Sequence, residues 1–206
     1  MIVFALACLL PLALARGQEL PSLIASGHPG WKEQRFVGQT HYTPVPEEGL
    51  LLAESVASAS GLVCEQKIDL QATPFLNWSW KVEAALVGLN EREKSGDDYA
   101  ARIYVVAKGG LAFWKTKALT YVWAGSEPEG SVWPNAFTAN AAMIAVQSGS
   151  DRAGELIQEK RNIRQDWLLA FGEDITAVDA VAIMTDTDNS GLQARAWYGQ
   201  PWFSAH

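Results

Sequence analysis

Between Phe75 and Val82 apolar and polar residues alternate without a break. Leu76, Trp78, Trp80 and Val82 fall on one side of an extended chain, and Asn77, Ser79 and Lys81 on the other. Successive side chains of a strand point to opposite faces, so a period of two marks a strand with one dry and one wet side. Segments of strand character recur at Thr40 to Val45, Leu50 to Ser55, Gly61 to Leu70, Ala100 to Ala107, Ala118 to Ala124, Ala142 to Ser148, Val178 to Met184 and Gln193 to Trp202, separated by turn residues. Helical spacing is convincing in one place. In "RQDWLLAFGED" Trp167, Leu168 and Phe171 share a face and Gly172 stands where a helix stops, which predicts one short helix near residues 163–171. Many short strands and one helix predict an all-β fold, a two-sheet antiparallel sandwich that is jelly-roll-like.

The ends of the chain bear on compartment. The apolar stretch from Ile2 to Ala15 is shorter than the roughly 20 residues a membrane-spanning helix needs, and Ala13-Leu14-Ala15 supplies a small-x-small cleavage pattern. The expectation is a secretory leader over residues 1–15, without its usual leading positive charge, then a lead-in over 16–35 and a single domain over 36–206. The product is expected to be extracytoplasmic, periplasmic or secreted, with no membrane span. Cys8 would leave with the leader, so Cys64 has no partner for an internal disulfide. A net charge of −7 argues against nucleic acid and anionic membranes as partners, because both require a basic footprint.

Three features carry candidate chemistry. The stretch "TDTDNSG" places Asp186, Asp188 and Ser190 at alternate positions before Gly191, which is the first half of a calcium-loop pattern. The position of the closing bidentate glutamate holds Trp197 instead. An acidic turn and a calcium site completed by oxygens from elsewhere both fit. In "GDDYAARIYVV" an arginine, Arg102, sits among apolar residues and needs a buried partner. Asp98 and Arg102 share a strand face by parity, and Asp97 adjoins Asp98. An ion pair and a ligand site are the two readings. Nine tryptophans make up the third feature. Trp78 with Trp80 and Tyr121 with Trp123 are i, i+2 pairs suited to core or to stacking on sugar rings, while Trp114, Trp133 and Trp197 are read as surface residues. No nucleophile elbow, Cys-His pair, zinc cluster or phosphate loop is present, and His28, His41 and His206 are the only histidines.

Taken together, "FVGQTHY", "PFLNWSWKV", "GDDYAARIYVV", "LTYVW", "EKRNIRQDWLLAFGE" and "VAIMTDTDNSGLQARAWYGQPWF" resemble, in their joint order, the bacterial family called domain of unknown function 3047. The resemblance implies export and a one-domain β fold without a reaction. It maps recurring polar positions onto Asp97, Asp98, Arg102, Arg161, Asp166, Asp186 and Asp188. The expected function is non-catalytic binding of a saccharide or similar polyhydroxyl ligand, a polysaccharide included, with calcium as a candidate cofactor. Asp97, Asp98, Arg102, Trp123 and Trp197 are the candidate ligand contacts, and Asp186, Asp188 and Ser190 the candidate metal ligands. The alternative is a hydrolase or lyase acting on envelope polysaccharide through two of these carboxylates.

Overall fold

The computed structural model describes residues 17–110 and 115–206. The leader expected over 1–15, with Cys8, and Trp114 lie outside the described residues. Along the chain the strands are β1 (Gln18–Glu19), β2 (Lys32–Val37), β3 (His41–Val45), β4 (Leu50–Val56), β5 (Ala59–Cys64), β6 (Ile68–Asp69), β7 (Phe75–Val82) and β8 (Arg102–Ala107). They continue with β9 (Lys117–Ala124), β10 (Val132–Pro134), β11 (Ala141–Ser148), β12 (Ile157–Asn162), β13 (Ala177–Val178), β14 (Ala180–Asp186), β15 (Gln193–Tyr198) and β16 (Trp202–Ser204). A single α-helix among the described residues, α1 (Ile163–Phe171), falls where its spacing predicts.

Two seven-stranded sheets form the sandwich. Sheet A runs β1-β16-β7-β15-β4-β3, with β12 on the other edge of β7. Sheet B runs β10-β11-β9-β8-β14-β5-β2, and β6 with β13 makes a small separate ribbon. Every pairing in the two sheets is antiparallel except β9 with β11, which is parallel. Parallel neighbours cannot be joined by a tight hairpin. The chain from 125 to 140 makes the required connection and includes β10, which pairs antiparallel with β11 as the edge strand of sheet B.

The alternation in β7 does what its period predicts. Leu76, Trp78, Trp80 and Val82 are all buried against sheet B, where Trp78 meets Tyr121 at 5.2 Å and Trp80 meets Trp123 at 6.0 Å between ring centroids. Aromatic pairs of this kind add about 0.5–1.5 kcal/mol each beyond the area they bury. Helix α1 is held at both ends. Asn162 Oδ1 accepts from Gln165 N at 3.2 Å, and Gly172, at φ 71°, closes the C-terminus by donating to Leu168 O at 2.9 Å. Its buried Asp166 accepts from Tyr121 Oη at 2.7 Å and from both arms of Arg161 at 2.9 and 2.6 Å, which fastens helix to strand.

The stretch expected as a lead-in is woven into the sandwich. β1 pairs with β16 and β2 with β5, and Leu23 and Trp31 enter the main core. β2 hides from a period-two reading because it is an edge strand whose six residues are all exposed.

Candidate functional site

The strands of sheet B present their second face outward, and its residues follow from the same parity that fills the core. Ile103 and Val105 of β8 point in, so Arg102 and Tyr104 point out; Val181 and Ile183 of β14 point in, so Ala182, Met184 and Asp186 point out. At one end this outer face is capped by a second, smaller core of Tyr99, Val122, Ala124, Trp133, Met143 and Ala145. Next to that cap opens a cleft of about 370 Å³, floored by Arg102, Tyr104, Thr120, Met184 and Asp186 and rimmed by Phe36, Asn135, Phe137 and Asp188. Phe36 and Phe137 are 65% and 53% exposed, so the rim offers two bare aromatic rings.

Arg102 organises the floor. It is almost fully buried, and it forms a two-armed pair with Asp186: Nε donates to Oδ1 at 2.6 Å and Nη2 contacts Oδ2. Nη2 also donates to the backbone carbonyl of Asp97 at 2.8 Å, and the guanidinium lies over the ring of Tyr99 at 4.7 Å. The planar fork of arginine suits this geometry, which lysine cannot reproduce. The partner expected from strand parity was Asp98. Because β8 starts only at Arg102, residues 97–101 are not strand and the parity does not extend to them. Asp98 instead turns to the acidic loop, accepting from Asn189 N at 3.2 Å, Asn189 Nδ2 at 3.0 Å and Ser190 N at 2.6 Å.

Asp97 differs from its neighbour. It is 5% exposed, Asn135 Nδ2 donates to its Oδ2 at 3.0 Å, and its Oδ1 has no hydrogen-bond partner among the described residues. The nearest cation, Arg102 Nη1, is 3.7 Å from that oxygen, too far for a hydrogen bond. Burial pushes the Asp97 carboxyl above the usual carboxylate range, outweighing the pull of Arg102 and Asn135. Asp188 is half-buried and is also raised, by burial first and then by the neighbouring charge of Asp98. Thr120 Oγ1, fully buried in the floor, is a second polar atom with no hydrogen-bond partner among the described residues. Buried polar atoms are nearly always satisfied, and two exceptions on residues that line one cleft call for an explanation.

Asp98, Asp186 and Asp188 bring ligand-type oxygens within 4.8 Å of one another. This is the grouping a calcium ion would use. The Asp98 oxygens already accept from loop amides, the Asp186 oxygens already face a guanidinium, and Ser190 Oγ accepts from Leu192 N at 3.3 Å.

Other expected positions fall elsewhere. Trp123 lies in the interior between the sheets, 1% exposed, with Nε1 donating to Gly149 O at 2.9 Å, so it cannot reach the cleft. Trp133 is buried in the capping core rather than exposed, with Arg92 5.7 Å from its ring. Trp197 sits on the outer side of sheet A, between Lys81 at 4.1 Å and Arg195 at 5.4 Å, on the far side of the sandwich from the cleft. The cleft residues that sequence reading passed over are Phe36, Thr120, Asn135, Phe137 and Met184. One signal was available: Thr120 is the one aliphatic hydroxyl in the otherwise apolar and aromatic "ALTYVWA".

Fold and cleft together define a β-sandwich protein with an acidic, aromatic-rimmed recess on one outer sheet face. The chain belongs to the family described as protein of unknown function (DUF3047), whose profile matches residues 29–202. No curated protein matches it. Among solved structures it is similar to a family 29 carbohydrate binding module, at 11% identity over 92% of this chain and 93% of that one, TM-score 0.43. It is also similar to the xyloglucanase domain of NopAA, a type three effector from Sinorhizobium fredii, at 11% identity over 84% and 91%, TM-score 0.46. A third is the native family 12 xyloglucanase from Bacillus licheniformis, at 8% identity over 83% and 98%, TM-score 0.38.

Proposed function

We propose that this protein is an exported binding module for a saccharide or similar polyhydroxyl ligand, and that the ligand occupies the cleft on the outer face of sheet B. The observation that carries the reading is that two buried polar atoms without a hydrogen bond, Asp97 Oδ1 and Thr120 Oγ1, belong to residues that line a cleft with exposed aromatic rings at its rim. Ligand hydroxyls would satisfy both atoms, and Phe36 and Phe137 would cover the apolar faces of sugar rings. Export enters through the expected leader; no described helix is long and apolar enough to cross a membrane.

Asp97→Asn tests this reading. Asn135 keeps an acceptor, but the anionic oxygen is lost, and binding to whichever glycan the parent retains is expected to fall at least about tenfold, as for loss of a hydrogen bond to a charged group. Stability is expected to hold or rise. A carboxyl whose folded pKa is raised favours folding below its unfolded pKa, and that contribution is lost as pH climbs through the folded value, so the ionised group is unfavourable near neutrality. Unchanged retention in affinity electrophoresis together with a lowered Tm would mark Asp97 as structural.

Calcium is tested separately. A site filled at a hundred times its Kd adds about 2.7 kcal/mol. Because Asp98 and Asp186 already have their partners, the melting temperature is expected to be the same in millimolar calcium and in excess chelator. A calcium-dependent rise of several degrees would assign the ion to Asp98, Asp186 and Asp188. One observation favours the hydrolytic alternative: Asp97 and Asp188, both with raised pKa, share the cleft. Release of reducing ends from a retained polysaccharide, lost in Asp97→Asn and Asp188→Asn, would establish it.

A further inference from the structure

Beside the acidic cleft, and sharing Phe36, Tyr104 and Met184 with it, the outer face of sheet B carries a second recess of about 190 Å³. It is lined by Gly61, Val63, Val106 and Ala182, with Gln34 at the margin and no charged side chain. Its depth comes from small residues at outward positions of adjacent strands: Gly61 on β5 and Ala182 on β14, flanked by the Tyr104 ring. Gly61 is confined to glycine, since a Cβ there would lie 2.8 Å from Ile183 O. The two recesses form one groove. Its first part is lined by Asp97, Asp186 and Asp188 against the single guanidinium of Arg102, with Lys94 Nζ out at the rim, 5.3 Å from the Phe137 ring. Its second part is apolar. The cation of the floor, Arg102, is already paired with Asp186, which leaves Lys94 at the rim as the cation that an anionic substituent could reach among the described residues.

We infer that the groove takes an uncharged glycan segment of at least two units, one donating hydroxyls to Asp97 and Asp188 and bonding Thr120, the next lying on the Gly61–Ala182 shelf against Tyr104, and that it rejects glycans bearing carboxylate or sulfate groups. This rests on the saccharide reading above and adds to it the charge and the length of the ligand. The Asp97 oxygen that lacks a hydrogen bond calls for a donor, which a hydroxyl supplies and a carboxylate does not. Like charges brought together in a desolvated contact cost several kcal/mol. The shelf supplies an apolar floor for a ring face and nothing for an anion.

The experiment compares neutral polysaccharides with uronate polymers and with the carboxyl-reduced forms of those uronates, by affinity electrophoresis and calorimetry at 0.5 M salt. At that salt the long-range field of a chain with net charge −7 is screened. The expected result is retention of one or more neutral or carboxyl-reduced glycans, with the parent uronate weaker by at least about tenfold. Equal or tighter binding of a uronate overturns the inference while leaving the saccharide reading standing. No retention of any polysaccharide removes both. Length is read with oligosaccharides of a retained glycan on Ala182→Phe, which fills the shelf. The parent should gain affinity from one unit to two or more, and the variant should keep the one-unit affinity and lose that gain. A variant that binds long and short ligands as the parent does removes the shelf from the site.

Discussion

Arg102→Met is expected to lower stability by about 3–5 kcal/mol, the range for removing one partner of a buried ion pair. The cost arises less from the lost attraction than from what remains. Asp186 is 1% exposed, and without the guanidinium its carboxylate faces the cleft floor with no counter-charge. The arginine also closes the floor laterally, through its bond to the Asp97 carbonyl and its position over Tyr99. Adding Asp186→Asn to Arg102→Met should recover a large part of the loss, because the stranded charge is then gone, and a double-mutant cycle by urea denaturation measures the coupling. Glycan binding should not recover in the double variant, since the floor stays rebuilt. A single-variant loss below about 1 kcal/mol would show that water reaches Asp186 and that the pair is not a buried one.

The second large effect is expected at a residue outside the cleft. Glu91, 2% exposed, receives the amides of Gly125, Ser126 and Glu127 at 2.9, 3.0 and 2.9 Å, and Ser126 Oγ at 3.2 Å. It ties the segment leading to Asp97 to the turn after β9. The backbone carbonyl of the same residue accepts from Trp133 Nε1 at 3.3 Å and Tyr99 Oη at 3.4 Å. Glu91→Ala leaves three backbone donors without this acceptor, of which the Gly125 amide is buried, and an unsatisfied buried donor costs about 1–3 kcal/mol. A loss of about 1–3 kcal/mol is expected, with accelerated hydrogen exchange at residues 125–127 and weakened ligand binding through displacement of Asp97. Glu91→Gln keeps one acceptor oxygen and should lose less. The assignment is falsified if Glu91→Ala unfolds within about 1 kcal/mol of the parent and those amides exchange no faster.

The architecture was legible where burial imposes a period. β7 and α1 each have one buried side, and the alternation of the first and the spacing and closing glycine of the second locate them well. β2 has no buried side, and inward positions of β12 are filled by Glu159 and Arg161, so neither strand shows an apolar alternation. For the site, an arginine in an apolar strand and two acidic pairs were enough to single out Arg102, Asp97, Asp98, Asp186 and Asp188, and the fold does bring these five together. Which carboxylate meets the guanidinium depends on where β8 begins, a boundary that "GDDYAARIYVV" does not mark. Trp123 was offered to a ligand because it pairs with Tyr121 at i, i+2, yet an i, i+2 pair reports a shared face and not which way that face looks. Phe36, Asn135 and Phe137 reach the cleft from an edge strand and a crossover, through distances in the chain that no local pattern encodes.

The parallel pairing of β9 and β11 has a consequence for how such a recess can be retuned. Its floor is drawn from strands whose register is locked by the core beneath them, so a change of one residue in length there would turn interior side chains outward. Asn135 and Phe137, by contrast, ride on the connection that this pairing obliges the chain to make, in the stretch after β10, between two strands that are paired directly with each other. Lengthening or trimming that connection offers a way to alter which ligands enter while the scaffold below keeps its alignment.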